Sequence, residues 1–488
     1  MNAVDYFFET SSVLEKEFVI GSKEKVTFKN LYSQSNNLAI YLQKTIGENQ
    51  NILLIAPNSV FFIIAYLGIM KSGNTVVPLN PEVEQANLDY IQNKCQSPLV
   101  LTTSRIKARF ELRNIGIIDE VMLNEITEVN ESFQPLKSDT NSNQLAEIIF
   151  TSGSTGEPKG VMISHKNLIA NTASIIQYLV LGSSDTMLVV LPFYYCYGLS
   201  LLHTHLRVGG SIVLNNMFIM LGGIINDLKK YKCTGFAGVP SHFQILLRKS
   251  NSFKNSTFPD LKYVTQAGGK LHNAFISEFI ESFPSIKFNV MYGQTEATAR
   301  LAWLPPEMLP GKIGSCGKAI PGVTLRVSDD KGKDIKPGET GEILAYGDNI
   351  MQGYYRDPES TAQAIINGWL RTGDLATVDN EGFIYLTARK KEIIKVGGRR
   401  ISPKEIEEVI VSMPEVIDCN IEGVYDDLLG EAIKATVVLK ENLESPIGIE
   451  QLKAWCYERL ATYKVPQIIQ ISDNITITAT GKKLKKQS

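Results

Sequence analysis

Near the end of the first third of the chain runs Thr151-Ser152-Gly153-Ser154-Thr155-Gly156-Glu157-Pro158-Lys159-Gly160, directly after the apolar stretch Ile148-Ile149-Phe150. Its glycines let the backbone turn tightly and bring N–H groups against a polyanion. The hydroxyls add donors and Lys159 adds positive charge, so the run has the chemistry of a triphosphate cradle. The common nucleotide P-loop ends in Gly-Lys followed by Ser or Thr. Here Lys159 precedes Gly160 and Pro158 stands before it, which disfavours a kinase or ATPase of that type. The same composition also makes flexible linkers, so the run alone leaves both readings open.

Its companions along the chain narrow the choice. The Thr-Ser-Gly-Ser-Thr-Gly-x-Pro-Lys-Gly run resembles the phosphate loop of the adenylate-forming superfamily: acyl-CoA synthetases, peptide-synthetase adenylation domains and firefly-type luciferases. Tyr292-Gly293-Gln294-Thr295-Glu296 resembles that family's adenine and magnesium segment, and Leu370-Arg371-Thr372-Gly373-Asp374-Leu375 its ribose segment. Gly338 to Tyr354 is similar to the stretch leading there, Lys395 to Pro403 to the start of a mobile C-terminal domain, and Tyr463-Lys464-Val465-Pro466 to a later landmark. Gly481-Lys482 resembles the terminal lysine motif, and all these segments come in the family's order.

The resemblance implies ATP-dependent activation of a carboxylate as an acyl-AMP with release of pyrophosphate, then acyl transfer to a thiol. It implies ATP, Mg²⁺ and either coenzyme A or the phosphopantetheine of an acyl or peptidyl carrier protein. By the same resemblance Thr151, Ser152, Ser154, Thr155 and Lys159, with Gly153 and Gly156 shaping the turn, hold the β and γ phosphates. Thr295 touches the α-phosphate and Glu296 binds Mg²⁺, a hard cation that prefers carboxylate oxygen. Tyr292 stacks on adenine with Gly268 and Gly269 at its edge, while Gly293 and Gln294 complete that segment. A tyrosine opening a helix is also an ordinary packing residue. Asp374, acceptor-only when ionised, suits two ribose hydroxyls, and Arg389 is expected beside it. Lys482 carries the adenylation step by bridging the incoming carboxylate and the α-phosphate. Lys391 falls at the family's hinge, and Gly397-Gly398 on the loop lining its thiol tunnel. Paired glycines also mark plain tight turns.

The segment Leu191 to Leu199 resembles the family's acyl-pocket motif, with Tyr195 where many acyl-CoA synthetases have histidine. Amino-acid-activating members place aspartate there to pair with the α-ammonium. Its absence favours a non-amino carboxylic acid, because an unpaired buried ammonium is costly. Tyr195, Val239, Gly268, Ala297 and Ala302 are expected near the acyl group. Two other readings share the nucleotide residues: a luciferase-like oxygenase acting on the adenylate, and a non-catalytic nucleotide-binding homologue. Intact Lys482, Glu296 and Asp374 weigh against the latter.

The elements that must position these residues follow from length and pattern. At 488 residues the chain exceeds what one core supports and predicts two or three domains. Short apolar runs such as Ile52 to Ile55 and Thr75 to Leu79 flank helix-like segments such as Val60 to Lys71, which predicts parallel α/β layers. Glu147 to Phe150, Thr186 to Leu191, Ser211 to Leu214 and Gly235 to Val239 continue the alternation, giving two α/β subdomains. Beyond Gly311 the texture becomes turn-rich β, suited to a distorted barrel. Ser402-Pro403 marks a helix start with proline at its first position. The predicted class is α/β: an N-terminal AMP-binding domain over 1–388, a hinge at 389–391 and a small mobile α+β domain over 392–488.

A net charge of −2 gives no polyanion footprint, and the basic tail at Lys482, Lys483, Lys485 and Lys486 is too short to make one, so no nucleic acid is expected. Val60 to Met70 is too short for a membrane span, which needs roughly 20 residues. Six scattered cysteines without a C-x-x-C pair or signal peptide point to a reduced cytoplasmic setting.

Overall fold

Strand-forming runs rich in Ile, Val and Leu, buried on both faces, build two sheets in the large domain. The computed structural model describes residues 1–128, 136, 141–151, 157–427, 429–441 and 447–472. A seven-stranded sheet runs in the order Gly353–Tyr354, Lys159–Ser164, Leu145–Thr151, Thr75–Leu79, Asn51–Ile55, Leu99–Thr102 and Gly116–Ile118. The last five strands of that order are parallel, while Lys159–Ser164 returns antiparallel on Leu145–Thr151. A nine-stranded sheet has Lys287–Tyr292, Tyr263–Gln266, Gly235–Gly238, Thr186–Val189, Ser211–Leu214 and Glu17–Val19 as its parallel centre. These are the two α/β layers that the alternation predicts.

One core joins them. Helix Val60–Lys71 begins at Ser59, whose hydroxyl accepts from Phe62 N–H, and every residue from Phe62 to Lys71 is buried. A helix apolar on all sides has to lie between layers. Here it packs with helices Phe28–Ile46 and Ala3–Phe8, and Lys71, its one charged residue, is paired with Asp5. Each thiol of Cys95, Cys196, Cys233, Cys316, Cys419 and Cys456 is buried and reduced.

Beyond residue 311 an antiparallel five-stranded sheet forms from Val323–Ser328, Gly341–Gly347, Ile365–Ile366, Trp369–Val378 and Ile384–Arg389. The last sheet belongs to the C-terminal part: Ile394–Val396, Arg399–Ile401, Val416–Asp426, Gly430–Leu439 and Ile468–Ser472. Helix Pro403–Val411 covers it and starts at Pro403 as its sequence predicts. Among the described residues no helix is long and apolar enough to cross a membrane.

Candidate active site

The two ends of the Ser/Thr/Gly loop are fixed by strand pairing. Thr151 lies opposite Lys159 in the antiparallel ladder, and its hydroxyl donates to the Lys159 carbonyl at 3.4 Å. Ser152, Gly153, Ser154, Thr155 and Gly156, like Lys482, lie outside the described residues. Gly160 is required where it stands, because a Cβ there would come within 2.7 Å of the Ile148 side chain. Lys159 Nζ donates to Ser360 Oγ at 2.5 Å, lies 3.8 Å from Asp357 and sits 5.3 Å from the centre of the Tyr354 ring.

Tyr354 links that lysine to the proposed metal ligand. Its hydroxyl donates to Glu296 Oε1 at 3.0 Å, and Met351 N–H donates to the Glu296 carbonyl at 2.9 Å. Burial first, and then the Glu296 carboxylate, push the Tyr354 hydroxyl well above its ordinary range, so it stays a donor. Glu296 itself is half-buried in a 3₁₀ turn, Thr295–Ala297, that follows strand Lys287–Tyr292. Between them Gly293 makes the bend: a Cβ there would stand 2.0 Å from the Ala299 carbonyl oxygen. The Thr295 hydroxyl is buried, 3.6 Å from Cys196 Sγ.

Tyr292 ends a strand and does not open a helix, contrary to the sequence expectation. Its β-rich neighbours Phe288, Val290 and Met291 explain why. Its ring is 6% exposed and its hydroxyl donates to Asp374 Oδ2 at 2.7 Å. Arg389 Nε donates to Asp374 Oδ1 at 2.9 Å, the two residues facing each other across the pair Trp369–Val378 and Ile384–Arg389. Asp374 raises the Arg389 guanidinium above its usual range, and burial followed by Asp374 raises Tyr292. The Arg389 side chain is 57% exposed, so this pair orients the carboxylate more than it stabilises the fold. Each Asp374 oxygen still has a lone pair, enough for a diol. Beside this corner Gly268, with φ +84°, and Gly269 turn the chain after strand Tyr263–Gln266, and Gln266 Nε2 donates to the Gly269 carbonyl at 2.7 Å.

Tyr195 caps the N-terminus of helix Cys196–Val208. Burial raises its hydroxyl strongly. Val239 caps helix Pro240–Arg248, and Ala297 and Ala302, fully buried, lie in the turn after Tyr292 and opposite it in the sheet. Three more of the expected residues, Gly397, Gly398 and Lys391, are exposed. Gly397 and Gly398, with φ +54° and +79°, form the exposed two-residue turn of hairpin Ile394–Ile401, as a Gly-Gly type I′ turn requires. Among the described residues a Cβ on Gly397 would meet Leu429, just before strand Gly430–Leu439, at 3.8 Å. Lys391 is exposed in the turn Lys390–Glu392.

Tyr354, the last residue of the family-like segment from Gly338 to Tyr354, and Arg300, packed against Gly293, belong to this neighbourhood, and no sequence signal points to these contacts. Tyr354 reaches Glu296 from 58 positions away, and Arg300 sits in a stretch that reads as apolar packing. A lone carboxylate at Glu296 fits Mg²⁺, which takes one or two carboxylates and fills its shell with phosphate oxygens and water.

The model of the AMP-binding enzyme family matches residues 10–355, and that of the AMP-binding enzyme C-terminal domain matches residues 405–482. The chain belongs to the AMP-binding enzyme family, the adenylate-forming superfamily. Oxalate–CoA ligase of Arabidopsis thaliana is 30% identical over 95% of this chain and 93% of its own length. Long-chain-fatty-acid–CoA ligase of Bacillus subtilis (strain 168) is 27% identical over 95% and 90%. The structure of o-succinylbenzoate CoA synthetase from Bacillus subtilis with its acyl-adenylate intermediate superposes with a TM-score of 0.84 at 27% identity, covering 100% of this chain and 97% of that one.

Proposed function

We propose that this chain activates a small non-amino carboxylic acid with ATP as an acyl-AMP and passes the acyl group to the thiol of coenzyme A. The observation that carries this reading is the pairing of two prepared carboxylates: Asp374 held by Tyr292 and Arg389, and Glu296 held by Tyr354 beside Lys159. Asp374 accepts the ribose hydroxyls of ATP and fixes the nucleotide's long axis. Lys159 and Thr151, with the loop they bracket, neutralise the β and γ phosphates. Glu296 would hold Mg²⁺, which would supply charge neutralisation to the nucleotide's phosphates.

The acid's carboxylate oxygen then attacks the α-phosphorus, forming the new P–O bond as the bond to the β-phosphate oxygen breaks and pyrophosphate leaves. In the second half-reaction the thiol loses its proton to solvent, and its sulfur attacks the acyl carbon. The C–S bond forms as the C–O bond to AMP breaks. Lys482 serves the first step, and the small domain turns about Lys391 to bring Gly397-Gly398 toward the thiol in the second. In the arrangement described here that hairpin faces outward. A carrier-protein phosphopantetheine is a second acceptor of the same chemistry. Buried, reduced cysteines favour a cytoplasmic setting.

Acid-dependent exchange of labelled pyrophosphate into ATP across a panel of acids tests the reading, followed by coenzyme A and carrier protein as acceptors. Lys482→Ala is expected to lower exchange roughly 10²–10³-fold, the usual cost of one lost transition-state donor. Thioester formation from supplied acyl-AMP is expected to survive; equal loss of both steps refutes the two-pose assignment.

A further inference from the structure

Helix Asn273–Ser282 begins without a cap from its own domain. His272 stands at the N-cap in extended backbone, φ −64° and ψ 143°, and its side chain makes no hydrogen bond to the first turn. Serine, threonine, aspartate and asparagine do make one, because the first N–H groups of a helix have no partner within it. The small domain supplies what is missing. Glu408, on helix Pro403–Val411, accepts from Asn273 N–H through Oε1 at 2.6 Å, and its Oε2 lies 3.3 Å from His272 Nδ1 and 3.9 Å from Lys270 Nζ. There the carboxylate also meets the positive end of the helix dipole. The His272 side chain is 1% exposed and that of Glu408 24%, so the contact is largely withdrawn from water.

What Glu408 holds is the far end of a loop that starts at the nucleotide corner. Strand Tyr263–Gln266 pairs in parallel with Lys287–Tyr292, Gln266 opposite Val290. The loop 267–272 therefore leaves the sheet at the edge where Tyr292 meets Asp374, and open parallel sheets bind their ligands at that carboxyl edge. The loop carries Gly268 and Gly269, the residues expected beside adenine. Its near end is fixed within the large domain: Gln266 Nε2 donates to the Gly269 carbonyl at 2.7 Å, and a Cβ on Gly269 would stand 3.2 Å from the Pro240 ring. A turn of the small domain carries Glu408 away from Asn273 and leaves only the near end held in this way.

We propose that Glu408 is a positioning residue for the nucleotide: by capping helix Asn273–Ser282 from the small domain it fixes the loop 267–272, so adenosine is bound tightly in the arrangement described here and more weakly once the small domain turns. This inference rests on the two-pose, carboxylate-activating reading and adds to it the contact that makes nucleotide affinity depend on the pose. Its consequence is that AMP is loosened in the pose that passes the acyl group on.

The test measures AMP binding by calorimetry, pyrophosphate exchange and amide hydrogen exchange on the full chain, for wild type, Glu408→Ala and the double variant Glu408→Ala with His272→Ser. Glu408→Ala is expected to weaken AMP roughly fivefold, the low end of coupling between sites, and to raise KM for ATP by a similar factor with kcat nearly unchanged. Amide exchange in the first turn of Asn273–Ser282 is expected to quicken. His272→Ser supplies a cap hydroxyl from the large domain itself, so the double variant is expected to regain both AMP affinity and slow exchange in that turn. A carboxylate that serves only to dock the small domain is not replaced by that serine. Coupling is reciprocal, so bound AMP is expected to slow amide exchange across helix Pro403–Val411 in wild type and less in Glu408→Ala. Unchanged AMP affinity in Glu408→Ala overturns the proposal, as does a double variant that binds AMP no more tightly than Glu408→Ala. If no acid supports pyrophosphate exchange, the activation reading fails, and the AMP titrations still decide the role of Glu408.

Discussion

Asp374 accepts one hydrogen bond on each oxygen from side chains 82 and 15 positions away, and that double hold fits the proposed nucleotide-orienting role better than a solvated turn aspartate. Removing the Tyr292 hydroxyl leaves the Arg389 contact in place. Tyr292→Phe is therefore expected to raise KM for ATP in the exchange assay roughly tenfold, near the low end of the ~1.5–3 kcal/mol that one hydrogen bond to a charged group is worth, with kcat nearly unchanged. Asp374→Asn turns an acceptor into a partial donor facing Arg389, and a larger loss, on the order of a hundredfold in kcat/KM, is expected. Equal effects from both variants contradict the assignment of the carboxylate as the ribose contact. Asp374 and Glu296 were legible in the sequence because each sits inside a contiguous pattern. The contact of Tyr354, the last residue of the segment from Gly338 to Tyr354, was not, since its partner Glu296 lies 58 positions away and local pattern is blind to that.

At the level of elements, the small domain is received by two helices of the large one, Pro240–Arg248 and Asn273–Ser282. Arg248, at the end of the first, donates through Nη1 to the carbonyls of Val411 at 3.3 Å and Met413 at 3.4 Å and to that of Val416. These are carbonyls at and beyond the C-terminus of helix Pro403–Val411, which have no intrahelical partner and draw positive charge. Glu278 pairs with Arg248 Nε at 3.1 Å, Glu408 accepts from Asn273 N–H at 2.6 Å, and Gln244 donates to Asp418 at 3.1 Å. Arg248→Met removes the donors while Lys254 still pairs Glu278, so no buried charge is orphaned. Faster amide exchange across helix Pro403–Val411 and easier proteolysis near Lys390-Lys391 are expected, with the large domain's melting little changed. Unchanged exchange there removes Arg248 from the docking surface. The docking helices were only coarsely readable from sequence, because their outward polar residues look like any solvated face. The start of helix Pro403–Val411 was readable at once from Ser402-Pro403. Tyr292 shows the opposite case, a residue whose strand membership is settled by its place beside Tyr263–Gln266 and Ala302–Leu304.

On the scale of the whole molecule, the two large sheets share one core, and polar groups are trapped within it. Tyr66 donates to Glu147 Oε2 at 2.7 Å and lies 2.9 Å from His203 Nε2, while Phe7 stacks on the His203 ring at 4.6 Å. Burial drives the His203 imidazole down to about 3, His165 to about 4 and His242 to about 3. An unfolded histidine binds a proton near pH 6.5 and these do not, so their contribution to stability is complete above that pH. It is lost as pH falls from about 6.5 toward 3 to 4, by up to ~1.4 kcal/mol per pH unit for each ring. Glu147 runs the other way: burial lifts it to about 7, against the hydrogen bond from Tyr66, so the native state holds a proton there that the unfolded chain has released above about 4.5. Its cost to stability therefore grows from pH 4.5 to 7 and partly offsets the histidines over the same interval. Urea unfolding measured from pH 4.5 to 8 is expected to show wild-type stability rising with pH, and more steeply in Glu147→Gln. The difference between the two proteins should climb between pH 4.5 and 7 and then level off. A difference that stays flat across that window means Glu147 titrates as it does in the unfolded chain.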